Sequence, residues 1–298
     1  LHNLGHDVRS LGMDSDLGVL RDAIAEFKPS IVFNILEEFA GQAAMDFNVV
    51  SYLELLRVRY TGCSPKGMVL ARDKALSKQI MAYHRIPIPE FAVFPIGRKI
   101  RVPKRMQFPM FVKSLIEEAS LGISQASIVH NEQKLRDRVQ YIHETIGTDA
   151  LVERYIEGRE FYVGIIGNHR LRLFPVWELL ATKADERTPL IATEQVKWDT
   201  AYQKKMGIKT QPAKDLPEGM LDSIHRLCKR VYRALDLCGY ARIDLRMSTE
   251  GKVYVLEANP NPQLAYGEDF AESAHADGLE YEALIQRILN LGLRRGRG

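Results

Sequence analysis

The rhythm of apolar and polar positions changes several times along the chain. Over residues 16–27, Leu17, Leu20, Ile24 and Phe27 recur at helical spacing and stop before Pro29. Residues 47–56 are helical too. Residues 6–11, 31–36 and 58–62 read as short strands, so the N-terminal part predicts a small parallel sheet of βαβ type. Residues 72–84 form the next helix, with Leu76, Ile80 and Met81 as its apolar side and Pro87 and Pro89 beyond its end. Further strands are expected at 91–95, 109–115, 150–153, 161–166 and 170–180. Further helices are expected at 131–145, at 221–237 on Ile224, Leu227, Val231 and Leu235, and at 281–293. Residues 114–122 are loop-like. Residues 182–217 are polar and without a clear period, as in a loop over a site or an irregular excursion.

The cleanest alternation lies in residues 240–262. Ala241, Ile243, Leu245 and Met247 take one face, and Arg242, Asp244 and Arg246 the other. Residues 248–251 are turn-like. A second alternating run follows, with Val253, Val255, Glu257 and Asn259 on one face. A plain four-residue turn pairs Met247 with Lys252 and sets Arg242 opposite Glu257, with Asp244 diagonal to Glu257. Arg242, Asp244, Glu257 and Asn259 then project together. Two carboxylates and an amide oxygen form a hard oxygen site, which suits Mg²⁺ held with nucleotide phosphates. The arginine beside them could steady an oxyanion. A solvated hairpin face is the plain alternative, but the run ends in Asn259-Pro260-Asn261-Pro262, which is neither a strand face nor a tight turn.

Composition narrows the setting. The 298 residues are 46% hydrophobic and 27% charged, ordinary for a globular protein of two or three domains. A net charge of +3 is too slight to argue for nucleic acid. Cys63, Cys228 and Cys238 have no metal-type spacing, and an odd count argues against a disulfide framework, so a reducing, cytoplasmic setting is expected. No apolar run approaches the roughly 18 residues needed to span a membrane. The chain begins at Leu1, and an opening strand with a Gly-rich loop is expected upstream of it.

Six stretches, in order, resemble the ATP-grasp superfamily, and within it the D-alanine–D-alanine ligase branch. They are Arg72-Asp73-Lys74, Phe111-Val112-Lys113, Leu121-Gly122-Ile123-Ser124, residues 152–160 (VERYIEGRE), residues 239–244 (GYARID) and Leu256-Glu257-Ala258-Asn259. The resemblance implies a role for each. Lys74 and Lys113 would hold ATP phosphates as point charges. Glu153 would accept from the adenine amino group, and the backbone at Tyr155 and Ile156 would read the adenine edge. Phe111, Tyr155, Ile156 and Leu256 would sandwich the ring, and Glu160 would hold the ribose. Asp244, Glu257 and Asn259 would bind Mg²⁺, normally two ions, with Mn²⁺ able to replace it. Arg242 would steady the tetrahedral intermediate, and Lys197, before Trp198, would reach the γ-phosphate from a lid.

Departures from the family pattern fall on substrate recognition. Glu37-Glu38 replaces a His-Gly pair. Ala119 and Trp198 replace a serine and its tyrosine partner. Residues 263–269 (QLAYGED) replace a segment ending in a serine pair that binds the second substrate's carboxylate. Glu268 and Asp269 would repel a carboxylate, which hints at a substrate bearing an amine or guanidine group.

The resemblance implies an ATP-grasp fold, α/β and α+β, behind an incomplete Rossmann-like N-terminal domain. The expected divisions are 1–72, 73–153 as the central lobe and 154–298 as the C-terminal lobe with the metal site. The implied function is ATP-dependent carboxylate–amine ligation through an acylphosphate, with a substrate other than D-alanine. A nucleotide-binding module without turnover is the alternative. The implied partners are small carboxylates and amines, with a homodimer as the common assembly of this branch and neither nucleic acid nor membrane.

Overall fold

Two antiparallel sheets, each apolar on one face and polar on the other, carry Lys113, Glu153, Glu160, Arg242, Asp244 and Glu257. The computed structural model describes residues 1–116, 122–183, 190–193, 195–196 and 199–295.

The N-terminal part holds α1 (Leu17–Phe27), whose first turn is capped by Asp16 accepting from the Gly18 amide at 2.7 Å. It also holds α2 (Asp46–Leu55). The expected parallel sheet is reduced, among the described residues, to one parallel bridge between Val32 and Tyr60. The strand expected at 6–11 does not form: those residues are irregular, with two apolar side chains and no described strand alongside to take their backbone hydrogen bonds.

The helix expected over 72–84 forms over residues 74–83, and a separate short helix that the sequence reading lacks precedes it. α3 (Pro65–Arg72) starts on a Ser64 cap with proline at its first turn. α4 (Lys74–Tyr83) restarts on Asp73, which accepts from the Ala75 and Leu76 amides. α4 buries Lys74, Ala75, Ser77, Lys78 and Met81, so two lysines occupy its inner stripe, while Leu76 and Ile80 are half-buried.

The first sheet contains β1 (Phe91–Phe94), β2 (Met110–Ser114), β3 (Ile128–Val129) and β4 (Ala150–Arg154), in the order β1-β4-β2-β3. α5 (Glu132–Tyr141) covers one face, where Met110, Val112, Leu135, Val139, Ala150 and Val152 form a core.

The second sheet contains β5 (Gly158–Ile166), β6 (Arg172–Leu173), β7 (Trp177–Ala181), β8 (Ile208–Pro212), β9 (Tyr240–Ser248) and β10 (Val253–Pro260). Its order is β10-β9-β5-β7-β8, with β6 on β5. The strand expected over 170–180 is therefore two pieces, separated where Pro175 has no N–H for a ladder. The aperiodic stretch 182–217 contains α6 (Thr200–Met206) as well as β8. Periodicity misses α6 because it buries none of its residues. α7 (Met220–Ala234) packs Ile224, Leu227, Cys228 and Val231 against Phe161, Val163, Ile243, Leu245 and Val255. α8 (Asp269–Ala276), which the sequence reading lacks, and α9 (Tyr281–Leu293) close the chain.

The hairpin forms, but not in the expected register. Val253, rather than Lys252, pairs with Met247, and Val255 pairs with Leu245. A β-bulge at Leu256 then shifts the pairing, so Glu257 stands directly opposite Asp244 and Asn259 opposite Arg242. Val253 and Val255 do not share a face with Glu257 and Asn259. The valines stay on the core face, and the bulge turns the polar pair to the other one. Without it, either two valines leave the core or a carboxylate enters it.

Candidate functional site

On β2 and β4, alternation divides core from chemistry. Met110 and Val112 point into the apolar core, so Phe111 and Lys113 point away from it. Glu153 lies directly opposite Phe111 and shares its face. Lys113 and Glu153 are buried there, with their charged ends 3.5 Å apart.

α4 adds a second ammonium. Lys78, 1% exposed, lies 2.7 Å from Glu153. Its well-directed hydrogen bond goes at 2.9 Å to the carbonyl of Leu256, the residue that bulges out of the β9–β10 ladder. Lys74 is buried one helical turn earlier on the same stripe.

On the second sheet, register collects the polar residues on one face. Glu160 stands opposite Arg246, Tyr162 opposite Asp244 and Gly164 opposite Arg242. Arg242 grips Asp244 with two hydrogen bonds, at 2.7 and 2.9 Å. The Asn259 amide donates to Asp244 at 3.0 Å. Arg246, 4% exposed, donates to Glu160 at 3.0 Å and to the Tyr155 hydroxyl at 3.2 Å, and the Tyr162 hydroxyl donates to Glu160 at 3.0 Å.

An ion pair joins the two sheets: Lys113 on the first lies 3.7 Å from Glu257 on the second. A chain of alternating charge thus runs Lys78, Glu153, Lys113, Glu257. Burial alone would raise Glu153, but Lys113 and Lys78 hold it below the ordinary carboxylate range. Burial works against the Lys113 ammonium, yet Glu153 and Glu257 outweigh it and raise the group. At Lys78 burial wins and the group is lowered despite Glu153. Burial opposes the Arg242 charge as well, and Asp244 more than compensates, so Arg242 stays cationic.

Asp244 and Glu257, directly opposed on one face, are hard oxygen donors of the kind Mg²⁺ takes. Asn259 turns its NH₂ to Asp244, which leaves the amide oxygen as the atom it can offer a cation. Among the described residues no three His, Cys, Asp or Glu side chains cluster as metal ligands. The donor set therefore fits a cation that completes its shell with phosphate oxygens and water, rather than one caged by protein alone.

The structure brings together Arg242, Asp244, Glu257, Asn259, Lys113 and Glu153. Glu160 and Tyr155 adjoin them through Arg246, and Leu256 through its carbonyl. Ile156 is buried, and Phe111, Tyr155 and Leu256 are half-buried. Lys197, Trp198 and Ala119 lie outside the described residues. Glu37, Glu38 and Glu268 are exposed. Asp269 accepts from the Thr210 hydroxyl and lies within electrostatic reach of Arg242 and Tyr162. Burial first and Asp269 second raise Glu268. Both acids sit at the start of α8, where they also complement the helix dipole.

Lys78 and Arg246 are the important residues that sequence reasoning misses. Lys78 had a signal, since it falls on the stripe of a helix whose other members are buried. Arg246 had none beyond its place on the polar face of β9.

The D-ala D-ala ligase C-terminus family model matches residues 80–290. The uncharacterized protein y4sG of Sinorhizobium fredii is 32% identical over 303 residues, a match covering 99% of this chain and 85% of that protein. The D-alanine–D-alanine ligase of Desulforudis audaxviator is 28% identical over 258 residues, covering 86% and 79%. Among solved structures, the D-alanine–D-alanine ligase from Bacillus anthracis complexed with ATP superposes with a TM-score of 0.73 at 22% identity, over 92% of this chain and 83% of that one. That likeness extends the agreement to the fold, two antiparallel sheets within a mixed α/β chain. With the family model covering most of the sequence, the conclusion is direct: this chain is a member of the D-alanine–D-alanine ligase family of ATP-grasp proteins.

Proposed function

We propose that the protein is an ATP-dependent, ADP-forming ligase that joins a carboxylate to an amine, and that its substrate pair is not two D-alanines. The observation that carries the reading is the Lys113–Glu257 contact, where a buried ammonium of one sheet meets the carboxylate strand of the other. Such a junction of fixed cations and hard oxygen donors suits a polyphosphate with its Mg²⁺. Members of the family act on ATP with Mg²⁺, and the residues here fit both.

In this reading Lys74 and Lys113 hold the phosphates. The Glu153–Ile156 segment, Phe111 and Leu256 hold adenine, and Glu160 holds the ribose. Lys197 reaches the γ-phosphate. Asp244, Glu257 and Asn259 hold Mg²⁺, which when bound neutralises charge on the phosphates being transferred. The substrate carboxylate attacks the γ-phosphate, giving an acylphosphate and ADP. The amine adds to the acyl carbon, the new C–N bond forms, the C–O bond to phosphate breaks, and phosphate leaves with the proton that the amine gives up. Arg242, kept cationic and oriented by Asp244, faces the oxyanion that develops in that addition. Asp269, beside Arg242, and Glu268 favour an acceptor carrying a cationic group over a bare amino acid carboxylate.

The test is phosphate release from Mg·ATP across D- and L-amino acids and amines, singly and in pairs, with Asn259→Ala as the blank. Release that requires one particular pair, and falls about a hundredfold or more in the blank, is expected. Full activity with D-alanine alone would overturn the substrate reading. ATP binding with no release for any pair would overturn the ligase reading.

A further inference from the structure

Apart from the charged residues of the two sheets, two cysteines far apart in sequence meet. Cys63 precedes α3, and Cys238 lies between α7 and β9. Their thiols lie close enough to shift one another's titration. Around Cys238 the protein assembles donors. The Arg295 guanidinium lies 3.1 Å from its sulfur, and the Ser64 amide donates to it at 3.3 Å. Arg295 is itself held in place: it stacks over the Tyr60 ring at 4.5 Å and donates to the Gly62 carbonyl. Tyr60 in turn donates to Glu54 at 2.6 Å. Cys63 is fully buried, whereas Cys238 is partly open to solvent.

We infer that Cys238 and Cys63 form a peroxide-sensitive modification site, with Cys238 as the attacking thiolate and Cys63 as the resolving thiol. A cation and a backbone N–H converge on the sulfur of a partly exposed cysteine that has a second thiol beside it, and that is the environment of a thiolate rather than of a packing cysteine. In the first step the Cys238 sulfur attacks hydrogen peroxide. An S–O bond forms, the O–O bond breaks, hydroxide leaves, and the sulfur is oxidised to sulfenic acid. In the second, the Cys63 sulfur attacks the sulfenic sulfur. The S–S bond forms, and the hydroxyl leaves as water with the Cys63 proton.

The titration of the two groups agrees with this assignment. Hydrogen bonding from Cys63 comes first, with Arg295 and Ser64 behind it; together they overcome burial and bring Cys238 down to about 6. The same contact, with burial, pushes Cys63 well up and keeps it a thiol. Tyr60, Tyr232 and Tyr240 also neighbour the pair, and burial pushes each phenol up, so they stay neutral. The nearby Asp236 is exposed and paired with Lys66 at 3.1 Å. Cys228 is an internal control: it is buried in the α7 core, burial pushes it up, and no cation is among the causes of its shift.

The native protein should be treated with hydrogen peroxide, its remaining thiols blocked, and its peptides mapped by mass. A Cys63–Cys238 linked peptide that dithiothreitol reverses is expected, with Cys228 blocked only after unfolding. Cys63→Ser should leave Cys238 as a sulfenic acid that dimedone labels. Iodoacetamide labelling of Cys238 should reach half its limiting rate near pH 6 and move upward in Arg295→Gln. Linkage of any other pair, or Cys238 recovered unmodified, would overturn the proposal. So would a half-point at the ordinary thiol value of about 8.5. If Cys63→Ser does not fold, peptide mapping and the pH profile of the unsubstituted protein decide alone.

Discussion

The junction of the two sheets and the start of α8 are built differently. At the junction, Lys78, Lys113, Glu153, Glu160 and Arg246 are all buried, and each charge has an opposite charge against it. At the start of α8, near Arg242, Glu268 is exposed and Asp269 is half-buried. A buried charge is tolerable only with partners in place, so each residue at the junction constrains the next. Exposed acids carry no such obligation and can be exchanged with little consequence for folding. In the proposed reading, acceptor selectivity rests on this second region. That is where a family can change what it accepts without rebuilding the nucleotide site.

Three variants probe this contrast. Lys78→Met should have the largest effect, because it leaves the Leu256 carbonyl without its donor and Glu153 with Lys113 alone. Loss of about 3 kcal/mol or more of unfolding free energy is expected from urea denaturation. A loss within 1 kcal/mol would mean that the charge chain is not structural.

Glu153→Gln should act in a pH-dependent way. Glu153 is held below its ordinary value, so the unfolded chain binds its proton first as pH falls, and the native protein loses stability through that window. The contribution is whole above about pH 4.3, the ordinary glutamate value. The variant should therefore be less stable at pH 7, and the gap should narrow as pH drops through the lower folded value. A constant gap would remove the ion pairs as the cause.

The smallest effect on stability, and the sharpest on selectivity, belongs to Glu268→Gln with Asp269→Asn. Unfolding free energy should change by about 0.5 kcal/mol or less. Preference among acceptors, measured by phosphate release, should move away from cationic ones. An unchanged preference would return both acids to the role of complementing the α8 dipole.

Much of the site was legible because it rests on alternation. The apolar face of β9 and the shared face of Arg242 and Asp244 follow from period two, whereas Phe111 and Lys113 were marked by the resemblance. What was hidden depends on a departure from that period or on distant neighbours. The bulge at Leu256 cannot be seen when Val253, Val255, Glu257 and Asn259 appear to keep step. Lys78 looks like a surface lysine until β10 lies beside its helix. The strand expected at 6–11 fails because a strand exists only with a neighbour, and the described residues beside it supply none.

The bulge also changes what β10 can tolerate. Up to Val255 the strand is written in the frame of the core, and from Glu257 onward in the frame of the chemistry, with Leu256 as the extra letter between them. Its carbonyl, taken out of the ladder, is bound by the buried Lys78 ammonium. The phase change is therefore latched by a helix rather than left to the strand. Packing behind the sheet and ligand geometry in front of it can drift separately on either side of that letter, but its length cannot: adding or removing one residue there would exchange a valine for a carboxylate at the core.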